Sequence, residues 1–166
     1  QVADLLNDME PDDRTAFLEE LPGEVAQRLM QLLTPDNRAV ATTLLGYPED
    51  SIGRLMTPEY VAVRPHFTVE ETLAHIRQYG HDSETLNVIY VVDDKWQLLD
   101  GLRIREVILA SPEQRISDLM DYKFASLNAF DDQETAVSAF KKYDRVVLPV
   151  VDTKGILLGI VTVDDI

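Results

Sequence analysis

Cysteine is absent from these 166 residues, which excludes disulfides, thiolate metal sites and cysteine nucleophiles. Histidine is nearly as scarce: His66, His75 and His81 are the only three, and none stands at a zinc spacing such as His-x-x-x-His. Long apolar runs are missing too. The longest, at 88–92 and 146–151, are strand-sized, far short of the roughly 18 residues that a membrane helix needs. No signal-peptide pattern opens the sequence. Positive charge is in deficit: 15 Lys+Arg against 30 Asp+Glu leave a net charge of −15 and a pI near 4.4. Such a surface repels nucleic acid and anionic lipid, and cations are its natural counterpart. No Ser/His/Asp arrangement, phosphate loop or dinucleotide fingerprint occurs, so no catalysis is expected.

What is present is a hydrophobic content of 45%, enough for a substantial core, in two stretches of different texture. Up to about residue 52, prolines at 11, 22, 35 and 48 each open a new apolar period. The periods are Phe17, Leu18 and Leu21, then Val25, Leu29 and Leu33, then Val40, Leu44 and Leu45, with Val2, Leu5, Leu6 and Met9 before them. Proline is tolerated in a first helical turn, where its missing N–H costs nothing. Thr34-Pro35-Asp36-Asn37 reads as a cap followed by a first turn. Helices of about ten residues are too short to stand alone, so they are expected to stack as a helical array.

From residue 53 the chain repeats itself. Leu55-Met56 aligns with Leu119-Met120, Val61 and Val63 with Ala125 and Leu127, and 69–77 with 133–141, all at an offset of 64. Val91-Val92-Asp93 aligns with Val150-Val151-Asp152 at an offset of 59, which leaves a loop five residues longer in the first copy, around 80–85. Each copy reads strand, helix, strand, strand, helix. One such unit is marginal alone, and two facing each other would bury their Val-rich sheets. Thr68 with Glu71 and Ser111 with Gln114 form capping-box patterns, and Asp131 with Glu134 a looser one.

The repeat resembles a tandem pair of CBS domains, carried by Leu55-Met56, Leu119-Met120, the strand Leu148-Pro149-Val150-Val151-Asp152, and the run from Gly155 to Asp165. The junction from Gly46 through Gly53-Arg54-Leu55-Met56-Thr57, Lys142-Tyr143-Asp144 and Thr162-Val163-Asp164-Asp165-Ile166 resemble the MgtE-type magnesium transporters, as does the style of the helical repeats before them. The resemblance covers essentially the whole chain. It implies an α+β fold, a short α-helical superhelix followed by a CBS pair. The expected domains are an acidic helical domain over 1–52, a first CBS repeat over 53–113 and a second over 114–166. The sequence opens at Gln1 inside one helical pattern and stops at Ile166 as another begins, so a longer parent is expected.

The implied function is Mg2+ sensing on the cytoplasmic face of the cell membrane. The chain would act as a homodimer through its CBS domains, beside a membrane domain of the same polypeptide that is absent here, with no nucleic acid partner. Mg2+ takes oxygen ligands and keeps several waters, so carboxylates across a movable gap suffice. Residues 1–60 hold 12 acidic and 4 basic residues and residues 61–166 hold 18 and 11, so neither part neutralises the other. The resemblance marks Glu134 and Asp144, with the Lys141 carbonyl, as one metal site. It marks Asp164 and Asp165 as acids that meet the helical domain or its connecting segment through Mg2+, with Asp12 and Asp13 as the partners placed by position. Spacing alone leaves ordinary roles open: Asp12 and Asp13 suit a first helical turn, Glu134 a cap on its own helix, Asp144 a turn, and Asp165 a capping position after Thr162.

The alternative is an adenosine-nucleotide sensor, with ATP or a related nucleotide as ligand. The CBS nucleotide pattern is met by Gly159, Thr162 and Asp165 in the second repeat, whereas Asp100, Arg103 and Glu106 stand at those positions in the first. A scaffold for a protein partner is a third reading. Trp96 stands where the family usually has glycine in a hairpin turn, either as a packing plug or in a contact with another chain.

Overall fold

The computed structural model describes residues 2–82 and 86–165, with the side chains at 23, 24, 39, 40, 42–44, 82 and 165 outside the description. The first part is four short helices: α1 (Val2–Asp8), α2 (Pro11–Glu20), α3 (Gly23–Leu32) and α4 (Pro35–Leu44). Pro11 and Pro35 open α2 and α4, and Pro22 immediately precedes α3. Thr34 caps α4, its Oγ1 accepting from the Asn37 N–H at 3.2 Å. Pro48 does not open a helix; it leads into a 3-10 turn over Ile52–Arg54.

The helical core is Leu6, Leu18, Met30, Leu33 and Ala41, with Met9, Leu21 and Leu29 packed against it. Phe17, Val25, Val2 and Leu5 lie exposed, against the sequence expectation. Helices this short bury a narrow stripe, and each period held more apolar residues than that stripe can cover. Val40 and Leu44 lie outside the described side chains. Arg14 is buried within this part, its Nη1 3.5 Å from the Leu6 carbonyl in the last turn of α1.

The second part contains two like units. One runs β1 (Ala62–Val63), α5 (Val69–Tyr79), β2 (Val88–Val92), β3 (Leu98–Arg103) and α6 (Ile104–Leu109). After α7 (Ile116–Leu119) the other runs β4 (Leu127–Asn128), α8 (Gln133–Tyr143), β5 (Val147–Val151) and β6 (Leu157–Thr162), ending in a 3-10 turn over Val163–Asp165. Each sheet has three strands, the first parallel to the second and the second antiparallel to the third. Even the register slip recurs, at Val91/Val92 and Val150/Val151. The helices α5 and α8 match at the offset of 64 and the hairpins at 59, as the sequence predicts.

Caps agree in part. Thr68 and Glu71 form a full capping box on α5. Ser111 and Gln114 instead close a turn, and α8 is capped by Asp132 rather than by Asp131 with Glu134.

The segments leading into the two repeats are exchanged. Ile52 N–H donates to the Asp131 carbonyl at 2.9 Å and Gly53 N–H to the Ala129 carbonyl at 2.8 Å. At the same offset, Ile116 N–H donates to the Phe67 carbonyl at 2.8 Å and Ser117 N–H to the Pro65 carbonyl at 3.0 Å. Ile52 therefore sits in the core of the second repeat with Leu127, Phe140 and Val150, and Ile116 in that of the first with Val63, Ile89 and Val107. A third core, including Tyr60, Tyr90, Trp96, Val147, Leu157 and Ile160, joins the two repeats.

The hairpin tips meet across the pseudo-twofold. Leu98 N–H donates to the Gly155 carbonyl at 2.9 Å and Leu157 N–H to the Trp96 carbonyl at 3.0 Å. Both tips need a left-handed residue, Trp96 at φ 70° and Gly155 at φ 85°. Trp96 is 7% exposed and its indole N–H donates to the Tyr60 hydroxyl at 2.7 Å, so of its two expected roles the packing plug is the one observed.

Candidate metal and ligand sites

Asp12 and Asp13 project from the first turn of α2 and are exposed, where the helix macrodipole favours acids. Asp164 is exposed in the terminal 3-10 turn, while the side chain of Asp165 lies outside the described residues. Glu134 is exposed in the first turn of α8. The cap of its helix is Asp132, whose Oδ1 accepts the Glu134 N–H at 2.9 Å.

Asp144 ends α8 as its C-cap, in the left-handed conformation at φ 50°. Glu134 and Asp144 are ten positions apart along the helix, about 15 Å at 1.5 Å per residue. Within one chain the two therefore cannot share an ion, which corrects the expected pairing. The Lys141 carbonyl lies at the same helix end as Asp144, among the carbonyls that the helix leaves without an internal partner. Among the described residues, no three His, Cys, Asp or Glu side chains come together to hold a metal.

The nucleotide pattern fares differently in its parts. Gly159 does not face an open cleft: a Cβ there would stand 2.7 Å from the Thr57 carbonyl and 3.2 Å from Met56. The Thr57 and Ile160 backbones pair in both directions at 2.9 Å, so this glycine admits the exchanged segment. Thr162 is half-buried at the end of β6. In the first repeat, Asp100 at the matching position is 1% exposed and accepts the N–H groups of Gly101 at 2.8 Å, Asp121 at 2.9 Å and Tyr122 at 3.1 Å. Sequence reasoning saw Asp100 only as a departure from a motif. The available signal was a lone acid in an otherwise apolar strand run.

The helical part is docked on the two repeats through direct bonds. Gln31 Nε2 donates to the Pro58 carbonyl at 2.6 Å. Arg38 Nη1 pairs with Glu59 at 3.2 Å, while its Nε and Nη2 donate to the Met30 and Leu33 carbonyls that end α3. These two anchors were not foreseen; the scarcity of basic residues in 1–60 was the clue to Arg38. His75 packs between Phe67 and Tyr79, and burial, followed by the nearby Arg28 charge of the helical part, lowers its pKa.

Tyr47, beneath the docked helices, has its pKa pushed up to about 12, by burial first and by the Asp152 carboxylate second. Tyr60 and Tyr90 are also raised, chiefly by burial. In the unfolded chain tyrosine deprotonates near pH 10, whereas the folded chain retains these protons. The tyrosines' share of the stability is therefore expected to be constant below pH 10 and to fall as the pH rises from 10 towards 12. Urea midpoints at about pH 9 and about pH 11 test this, and Tyr47→Phe should lessen the fall.

A stack of short helices followed by two β-α-β-β units with exchanged lead-in segments defines a helical domain carrying a CBS pair. Residues 1–50 match the MgtE intracellular N domain family, and residues 52–112 and 116–166 match the CBS domain family. The chain is 48% identical over 140 residues to the magnesium transporter MgtE of Thermus thermophilus, covering 84% of this chain and 31% of that one. It superposes with a TM-score of 0.73 on the cytosolic domain of the Mg2+ channel MgtE in complex with ATP, at 39% identity, covering 98% of this chain and 77% of that one. With the soluble part of a magnesium transporter the TM-score is 0.71 at 28% identity, covering 99% and 69%.

The chain belongs to the MgtE family of magnesium transporters, which is not a family of enzymes. It corresponds to their cytosolic regulatory region and spans about a third of the length of the Thermus thermophilus and Bacillus subtilis relatives it matches. Among the described residues, no helix is long and apolar enough to cross a membrane.

Proposed function

We propose that this chain senses intracellular Mg2+ for a magnesium channel, at the cytoplasmic face of the membrane, and favours pore closure when the ion is abundant. The observation that carries this reading is the balance at the domain interface. Both domains carry an excess of acids, 12 against 4 bases in residues 1–60 and 18 against 11 in residues 61–166, and the Gln31–Pro58 hydrogen bond and the Arg38–Glu59 ion pair cross between them. Two carboxylates about 4 Å apart repel by up to about 4 kcal/mol at an effective dielectric near 20, before salt screening. A hard divalent ion replaces that repulsion with bridging, so its concentration shifts the population towards the docked arrangement.

The candidate ligands remain Asp12 and Asp13 on the helical side, Asp164 and Asp165 at the end of the second repeat, and Glu134 and Asp144 on α8. The last two serve different ions in one chain, and Asp144 takes the Lys141 carbonyl as its neighbour. A complete ligand set therefore needs donors from across the interface or from a second copy. Homodimerisation through the CBS domains supplies that copy, and the exposed Ile108 and Leu109 on α6 with Val137 on α8 offer an apolar face for it. The domain limits are those expected from the sequence, 1–52, 53–113 and 114–166. The membrane domain of the same polypeptide is the effector.

Limited proteolysis tests the assignments. Mg2+ at millimolar level should protect the interdomain junction, and Asp144→Asn combined with Asp165→Asn should abolish that protection. Asparagine tolerates the left-handed conformation at 144, so the variant removes charge without straining the backbone. Unchanged protection in the variant would refute the roles of both acids.

A second reading has one observation in its favour, the ATP held by the related cytosolic domain. An adenosine nucleotide would use Thr162 and Asp165, with Gly159 acting by admitting the exchanged segment. Calorimetry separates the readings: heat with ATP and none with Mg2+ would favour the nucleotide.

A further inference from the structure

Between the helical domain and the β5–β6 hairpin lies a cavity of about 440 Å³, within the range of small-molecule sites. Leu21 and Met30 wall it on one side and Met56 and Leu158 on the other. Gln27 of α3 lines it, 9% exposed, and its side-chain oxygen is buried with no hydrogen-bond partner. That oxygen has almost no accessible surface as it stands, so a ligand donor meets it only after the Gln27 amide turns towards the cavity, which recovers the free energy that a buried unpaired acceptor costs.

The charge around the cavity is also unusual for this protein. Two acids, Glu19 and Asp152, and two bases, Arg38 and Lys154, line it, in a chain whose net charge is −15. Asp152 Oδ1 is engaged by the N–H groups of Lys154 and Ile156, at 2.8 and 3.0 Å, and Arg38 is paired with Glu59. Lys154, exposed at the lining, is left to meet an anion.

We propose that this interdomain cavity is a binding site for a small, largely apolar molecule that carries an N–H or O–H donor for Gln27 and an acidic group for Lys154. Because its walls come from both domains, such a ligand clamps the helical domain to the CBS pair without any metal. The site is independent of the cation reading, and its test is run in EDTA.

The probe is indole-3-acetate, which has an apolar body, one N–H and one carboxylate. Its comparison is naphthalene-1-acetate, similar in shape but without the donor. Calorimetry on the whole chain should show indole-3-acetate binding about tenfold more tightly, the worth of one hydrogen bond to a buried acceptor. Gln27→Leu should erase that preference and Lys154→Ala should weaken both acids. If Gln27→Leu fails to fold by circular dichroism, Ala26→Trp, which fills the cavity from the same helix, should abolish binding. The proposal is overturned if neither acid binds, if both bind alike, if Ala26→Trp binds as the wild type does, or if ATP displaces the probe and so identifies the pocket as the nucleotide's.

Discussion

Trp96→Ala is expected to lower the unfolding free energy by about 3–5 kcal/mol, the usual cost of emptying a large buried aromatic site. The ring is 7% exposed in the core that joins the two repeats. Its N–H holds the Tyr60 hydroxyl, which in turn reaches the Leu157 carbonyl at 3.4 Å. The Arg64 guanidinium lies 5.0 Å from the ring centroid, which adds a cation–π contribution. Against these stands a backbone cost, since a left-handed φ of 70° costs a non-glycine residue about 1–2 kcal/mol.

Magnitudes decide the order of variants. Glycine relieves the backbone but leaves the same void as alanine, so Trp96→Gly should lose about 1 kcal/mol less than Trp96→Ala and still be far from neutral. Trp96→Phe should be the mildest of the three. Urea unfolding followed by circular dichroism checks the ranking, since the only tryptophan is lost as a fluorescent reporter. If Trp96→Gly equalled the wild type, the plug would contribute nothing beyond its strain.

Asp100→Ala is the second large effect. The carboxylate replaces water for three backbone N–H groups in a position 1% exposed to solvent. Hydrogen bonds to a charged group are worth about 1.5–3 kcal/mol each and are not additive, so a loss of about 3 kcal/mol or more is expected. Asp100→Asn retains an acceptor and should lose less. Amide exchange offers a local readout: Asp121 and Tyr122 should lose protection in Asp100→Ala while α8 retains its own until global unfolding. Uniform loss across the chain would mean that Asp100 does not hold that segment specifically.

These two residues also mark how far the sequence could be read. The paired offsets located helices, strands and hairpins because repetition tests each assignment twice. Thr68 and Glu71, or Thr34 and Asn37, were legible because a cap is a local contact over a few residues. The exchange of Ile52 and Ile116 was not, since both cores are Val- and Ile-rich and periodicity does not say which one a segment enters. The exposure of Phe17 and Val25 was hidden for a similar reason: a helical period shows which residues share a face, and how much of that face is covered depends on its neighbours. Among the site residues, Glu134 and Asp144 were legible as flanking one helix; that this span keeps them from a single ion follows from the length of α8.

The crossing of the lead-in segments bears on how force travels. The stretch that leaves α4 does not anchor on the nearer unit; it is bolted through Ile52 and Gly53 to the farther one, whose last strand runs on towards the end of the chain. A swing of the α-helical lobe would therefore load β4 and α8 through Ile52 and Gly53, beside the Gln31–Pro58 and Arg38–Glu59 contacts that lead into the nearer unit.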